Sequence, residues 1–210
     1  MIRVLIADDH TIVREGLKQI LADTPDIEVK AEAGSAQEVF KRIKGKSFDL
    51  VLLDISFPGR SGLDVLKQLK DMRPDLPVLV LSMHPEEQYA VRSIRAGASG
   101  YLTKESAPDE LLQAIRKVAR GGKYITSSLA EKIAAELSDK WRGLPHEGLS
   151  DREYQVLCLI ASGKTVKEVA EALSLSVKTI STHRARILQK MRMENNAQLT
   201  HYAIRHKLVD

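Results

Sequence analysis

A single cysteine, Cys158, stands among 210 residues, so no disulfide can form within the chain. It lies in the apolar run VLCLIA and reads as a small core side chain. No apolar stretch approaches the roughly 20 residues that a bilayer demands, which excludes a membrane-spanning helix. The opening run MIRVLIA meets Asp8 and Asp9 too soon to serve as a secretory signal. The expectation from these absences is a protein of the reducing cytoplasm. Long internal repeats and low-complexity tracts are also missing, so the chain is not a repeat array. Nor does a glycine-rich turn follow the first apolar run. DDHTIV stands where a dinucleotide fingerprint would need its glycines, which argues against a nucleotide-binding protein of Rossmann type.

What is present is divided unevenly. The formal charge is +4, and the excess lies at one end. Residues 1–120 carry eighteen Lys and Arg against eighteen Asp and Glu, and residues 121–148 carry four of each. Residues 149–210 carry ten against six. A basic terminal segment behind a neutral body points to a polyanionic partner for that segment alone.

The first 120 residues alternate β-like runs with amphipathic stretches. Strands are predicted at Val4–Ala7, Ile27–Ala33, Leu50–Leu53, Val78–Leu81 and Gly100–Leu102. Three of them (VLIA, LVLL, VLVL) are almost wholly aliphatic, as strands covered on both faces must be. Helices are predicted at about Thr11–Ala22, Ser35–Lys44, Gly62–Met72, Glu86–Ala96 and Pro108–Arg120. Ser35 and Glu38 form a capping-box pattern, and Pro108 sits in a first turn, where its missing N–H costs nothing. Five βα units in succession specify a doubly wound five-stranded parallel sheet. Gly121-Gly122 closes this block. Residues 121–148 read as a linker holding a short helix, Ser127–Ser138, with Pro and Gly in LPHEGL before the next unit. Residues 149–210 show no strand pattern. A helix capped by Ser150 and Glu153 runs to about Ala161, followed by Val166–Leu173, Val177–Met191 and Ala197–His206.

Adjacent like charges raise free energy, yet Asp8 and Asp9 stand together at the end of the first strand. The third strand ends at Asp54. Ligands of open parallel sheets bind beyond the carboxyl ends of the strands. If the first and third strands are neighbours, three carboxylates converge there and require a cation. An oxygen-only set suits Mg2+. The fourth strand ends at a hydroxyl, Ser82, and the fifth leads to Lys104. A divalent ion, an ammonium and a hydroxyl around one carboxylate suit a phosphoryl group, with Asp54 as the nucleophile. A lone aspartate after a strand ordinarily caps a helix, and a lone lysine is ordinarily solvated. Four strand ends carrying complementary chemistry favour the phosphoryl site.

In the basic segment, SVKTISTHRARILQKMR (Ser176–Arg192) holds five basic residues and no acid. At 100° per residue, Val177, Ile180, Ile187, Leu188 and Met191 share one face, and Lys178, Thr182, Ala185, Arg186 and Gln189 lie opposite. Surface helices mix charge signs and membrane-surface helices carry bulky aromatics, and this one does neither. With the short helix before it and a turn at Ser174-Leu175, it forms a helix-turn-helix pattern. Ser176 is the expected N-cap. Lys178, Arg184, Arg186 and Lys190 are expected at phosphates. Ser181, Thr182 and Ala185 are short enough to meet base edges.

Through LIADDH, LVLLDISFPGRSGLD, VLVLS and GYLTK, residues 1–120 resemble the receiver domain of bacterial two-component response regulators. Residues 149–210 resemble the LuxR-type helix-turn-helix domain through Ser150–Glu153, Gly163, Lys167–Ala170, Lys178-Thr179 and His183. Together they resemble the NarL/FixJ response regulators. The resemblance implies a flavodoxin-like receiver followed by a small all-α DNA-binding domain. It implies Asp54 as phosphoacceptor, and Mg2+ on Asp9, Asp54 and the Ser56 carbonyl with Asp8 assisting. Lys104 would pair with the phosphoryl group, Ser82 would turn toward it, and Tyr101 would follow inward. Ser56 and His84 stand at positions that tune phosphoryl lifetime. Lys178, Thr179, Ser181, Thr182, Arg184, Ala185, Arg186 and Lys190 would face DNA. Further implied are a histidine kinase as phosphodonor and a homodimer when phosphorylated or on DNA. Two departures from the family pattern are Asn196, where a base is frequent, and Lys207, where Gly is frequent.

Other readings remain open at this point. An aspartyl-phosphate phosphatase would want an acid two residues after Asp54, where Ser56 stands. A receiver kept only as a dimerisation scaffold, without phosphorylation, would not need the full set of acids, hydroxyl and lysine.

Overall fold

The computed structural model describes all residues except 46, 56, 58–60, 84–85, 137–143 and 210, with backbone alone at 86–88, 132 and 135–136. The chain forms two compact units, Met1–Ala130 and Glu131–Asp210.

The first unit alternates β1 (Ile2–Ala7), α1 (Thr11–Ala22), β2 (Ile27–Ala33), α2 (Ala36–Gly45), β3 (Leu50–Asp54), α3 (Gly62–Met72), β4 (Val78–Ser82), α4 (Glu86–Arg95), β5 (Gly100–Thr103) and α5 (Pro108–Ala119). All pairings are parallel, in the order β2-β1-β3-β4-β5. The chain winds outward from β1 to β2, then returns to place β3 on the other side. The winding therefore switches direction between β1 and β3, where a crevice opens beyond their carboxyl ends. Aliphatic runs make the central strands because helices cover both faces: every residue of β3 and β4 is buried. Leu50, Leu52, Leu79 and Ile6 pack with Leu111, Ile115 and Val118 of α5 in one core. Each such side chain contributes about 1.5–3 kcal/mol by leaving water.

Several strands run one residue beyond their predicted ends. Asp54, Ser82 and Thr103 are the last ladder residues of β3, β4 and β5. Their side chains are therefore aimed by sheet geometry rather than by a loop. The helix ends hold smaller surprises. Ser35 Oγ accepts from the Glu38 N–H at 3.3 Å, but the Glu38 carboxylate accepts from Gly34 rather than Ser35, at 2.9 Å. Thr165 and Glu168 close a full capping box with the S/T-x-x-E spacing.

Both ends of the expected linker belong to folded units. Tyr124 forms a parallel bridge to Gly100, its N–H donates to the Ser99 carbonyl at 2.8 Å, and its hydroxyl bonds Glu110 at 3.0 Å. A helix, α6 (Ser127–Glu136), follows; the last two residues of the predicted helix, 137–138, lie outside the described residues. In the second unit a 3-10 turn at Pro145–Gly148 places His146 Nδ1 2.8 Å from the Tyr202 hydroxyl.

The second unit then builds α7 (Asp151–Ala161), α8 (Val166–Ala172), α9 (Val177–Met191) and α10 (Asn196–Arg205). Helices α9 and α10 both pack on α7, and α8 packs on α9. Ser174, in the turn between α8 and α9, adopts φ 52°. Lys207 takes φ 54° just past α10, while Leu208 N–H closes on the Ala203 carbonyl at 2.8 Å. The left-handed stop that Gly adopts freely is thus kept by a lysine, at about 1 kcal/mol.

Candidate functional site

The β1–β3 register pairs Ala7 with Leu53, so Asp8 and Asp54 emerge side by side at the switch point. The condition for convergence of the carboxylates is met. Ligand atoms of Asp8, Asp9, His10 and Asp54 all lie within 4.8 Å of one another. Asp54 is fully buried, Asp8 is nearly so, and Asp9 is partly open. Asp8 is held from several sides. Its N–H donates to the Ala33 carbonyl at 3.1 Å, its carbonyl accepts from Arg14 at 2.8 Å, and its Oδ1 accepts from the His10 N–H at 2.8 Å.

Lys104 closes the cluster. The Lys104 N–H donates to the Ser82 carbonyl at 2.7 Å, which fixes the turn after β5. Its ammonium lies 2.6 Å from Asp8 Oδ2 and 2.8 Å from Asp54 Oδ2. Burial disfavours this ammonium, but the Asp54 charge and hydrogen bonds to Asp54 and Asp8 outweigh it, and the pKa rises above the ordinary lysine value. Lys104 is therefore a cation throughout the neutral range. Ser82 is fully buried. Tyr101 is buried, at 2 % exposure.

Among the described residues Lys104 is the cation bonded to the cluster, and Asp9 Oδ1 is a buried oxygen without a hydrogen-bond partner there. These are the conditions for a divalent ion: oxygen donors gathered on three carboxylates and an orphaned oxygen. The residues fit Mg2+. Ser56, whose carbonyl was expected as a further ligand, lies outside the described residues, as does His84. Gly62 allows a close backbone approach. A Cβ there would stand 2.2 Å from Ile55 Cα and 2.7 Å from the Asp54 carbonyl oxygen.

In the second unit the Ser176 side chain accepts from the Thr179 N–H at 3.0 Å, leaving α9 capped as expected. Ile180, Ile187 and Met191 are buried, while Val177, assigned to the same face, is 51 % exposed. It lies in the first turn of α9, where no described residue covers it fully. Lys178, Ser181, Thr182, Ala185 and Arg186 form an exposed outer face. The Ser181 and Thr182 hydroxyls donate to the carbonyls of Val177 and Lys178. Thr179 is half-buried, with its hydroxyl 2.8 Å from Ser176 Oγ. His183 is turned inward, and its pKa is pushed down chiefly by burial.

Two of the expected phosphate contacts are engaged within the unit. Arg184 donates to Asn196 Oδ1 at 2.6 Å, so one departure from the family pattern meets an expected phosphate contact. Lys190 donates to Glu153 Oε2 at 2.6 Å. Burial would lift the Glu153 pKa, but the bonds from Lys190 and from the Ser150 cap hold it below the ordinary glutamate value. Its stabilisation is accordingly present above that ordinary value and lost as pH falls through the depressed one. Lys190→Gln is expected to lower the stability of the second unit by roughly 1 kcal/mol at pH 7, a modest figure because Lys190 is half exposed. The difference from wild type should shrink as the pH falls below the ordinary glutamate range, as denaturant melts at pH 7 and at successively lower pH would show.

Residues 4–116 match the family described as "Response regulator receiver domain", and residues 147–203 match "Bacterial regulatory proteins, luxR family". Over 209 residues the chain is 37 % identical to the response regulator UvrY of Escherichia coli strain K12, spanning 99 % of this chain and 96 % of that one. The chain belongs to the NarL/FixJ response regulators. It is 35 % identical to the response regulator GacA of Pseudomonas aeruginosa, over 100 % of this chain and 99 % of that relative. Among solved structures it is similar to RcsB of Salmonella enterica serovar Typhimurium bound to promoter rprA in the presence of the phosphomimetic BeF3-. There the TM-score is 0.66, with 28 % identity over 96 % and 98 % of the two chains. Another RcsB structure gives a TM-score of 0.73 over 98 % of each. This NarL/FixJ member thus combines a receiver with a LuxR-type DNA-binding domain, the construction of a transcription regulator. No helix among its described residues is long and apolar enough to cross a membrane.

Proposed function

We propose that a histidine kinase phosphorylates Asp54 and that the resulting acyl phosphate controls DNA binding by α9. The observation that carries this reading is Lys104 Nζ at 2.8 Å from a fully buried Asp54 within a cluster of three carboxylates. Asp8, Asp9 and Asp54 would hold Mg2+, which when bound neutralises phosphoryl oxygens. An Asp54 carboxylate oxygen attacks phosphorus while the bond from phosphorus to the donor atom breaks, and the donor leaves with the electron pair. Lys104 stays within reach of the new phosphoryl oxygens, and the buried Ser82 hydroxyl offers a further donor. The acyl phosphate then draws Ser82 and Tyr101 inward, which reshapes the face around β4 and α5 and favours a homodimer on paired half-sites.

The donor has a surface to use. Ile12 is 87 % exposed and Met83 61 % exposed, and a cavity of about 300 Å3 beside Lys104 is lined by Val13, Leu17, Leu102 and Leu111. Receiver 1–120, linker 121–148 and DNA-binding domain 149–210 remain the functional division, with residues 121–130 packed on the receiver. The RcsB promoter complexes support DNA as the partner. We assign Lys178 and Arg186 to phosphates and Ser181, Thr182 and Ala185 to the groove. Thr179, Arg184 and Lys190 contribute through positioning.

Lys178→Ala tests the interface. It should weaken binding about equally on unrelated duplexes and reduce the slope of log affinity against log salt by about 1. An unchanged slope would remove Lys178 from the phosphates. Steady release of phosphate from an external ester would instead favour an enzyme.

A further inference from the structure

Asp9 Oδ1 and His10 Nδ1 are 3.0 Å apart, yet Asp9 Oδ1 has no hydrogen-bond partner among the described residues. The two atoms are close without being aimed at each other. Nδ1 also lies 3.3 Å from Asp8 Oδ1. With the ring proton moved to Nε2, Nδ1 presents a lone pair beside that of Asp9 Oδ1, and two such atoms at this spacing point to a shared third position. Neighbouring ligands of a six-coordinate ion with bonds of 2.0–2.1 Å stand about 2.9–3.0 Å apart, close to both observed separations. The imidazole is 61 % exposed and free to settle against an ion. Turning Nδ1 to the ion gives up its bond to Asp8. Asp8 still keeps the His10 N–H at 2.8 Å and Lys104 at 2.6 Å, so nothing is orphaned by the change.

The geometry points to His10 as a nitrogen ligand of the divalent ion held by the three carboxylates, shifting the site toward transition-metal cations. The inference rests on the proposed metal site and deepens it. Carboxylates alone serve Mg2+ and Mn2+, whereas an imidazole adds affinity for Co2+, Ni2+ and Zn2+ and adds little for Mg2+. The phosphoryl site of this chain would then answer to more than one metal.

The test uses the full chain. Wild type, His10→Ala and His10→Asn are loaded with Mn2+ and examined by electron spin-echo spectroscopy, with and without 15N-histidine labelling. Wild type should show modulation from a directly bound nitrogen that changes with the label and is absent in both variants. Calorimetry should show Ni2+ affinity falling about tenfold or more in the variants, with Mg2+ affinity changing less than about threefold. Circular dichroism melts confirm that each variant folds. Bound Mn2+ without nitrogen coupling, or Ni2+ and Mg2+ affinities falling in parallel, would overturn the role of His10 and leave the carboxylate site standing. Failure of wild type to bind any of the three metals would overturn the site itself.

Discussion

Treated with a small phosphodonor and Mg2+, the wild-type chain is expected to gain one phosphoryl mass and to bind DNA about 5- to 150-fold more tightly, a coupling of ~1–3 kcal/mol. Asp54→Asn should do neither. The amide keeps the size of the side chain but is no nucleophile toward phosphorus, and it gives up one of the charges around Lys104. The fold should survive, because Lys104 keeps Asp8 at 2.6 Å. Intact-mass measurement and DNA titration on the same samples check both halves. A variant that still gains the phosphoryl group places it on another carboxylate. A wild type that gains mass without gaining affinity separates the chemistry from the switch.

Removing Lys104 should produce the largest change in stability. Its ammonium is 7 % exposed and is the cation that bridges Asp8 and Asp54. Lys104→Met fills the space but leaves buried carboxylates facing each other, which costs about 3–5 kcal/mol. Mg2+ at roughly 100 times its Kd should return about 2.7 kcal/mol to the variant, since the ion binds only the folded chain. Denaturant melts with and without Mg2+ read both numbers. If the variant melts like wild type in a chelator, the ion pair is not what balances the cluster. Phosphorylation should also fall in Lys104→Met even when Mg2+ has restored its fold, because the lost ammonium contacts the phosphoryl oxygens.

Much of this was legible in the residues. The aliphatic runs VLIA, LVLL and VLVL announced buried parallel strands because only double-faced burial tolerates such sequences. Strand order was not legible. Asp8 meets Asp54 only because the winding reverses after β2, which the sequence allowed and the ladder established. The basic helix was found by counting charge, but a count cannot see partners. Lys190 finds Glu153 on α7 and Arg184 finds Asn196 on α10, so both were assigned to DNA before their neighbours were known. Val177 followed the helical angle of Ile180, yet burial depends on what stands opposite, and Val177 stays half exposed among the described residues. Tyr124 carried no signal among the glycines of its segment; its bridge to Gly100 is a long-range pairing. His10 stood in plain view beside two aspartates, but its spacing to Asp9 and Asp8 is a property of the turn after β1.

The most direct measurement is borohydride trapping of the phosphorylated chain, followed by digestion and mass spectrometry. Reduction converts an acyl phosphate to homoserine at the residue that carried it. Homoserine at position 54, formed with Mg2+ and absent with a chelator, is the expected result. Homoserine at Asp8 or Asp9, or none at all while DNA affinity still rises, would contradict a phosphoryl site built on Asp54.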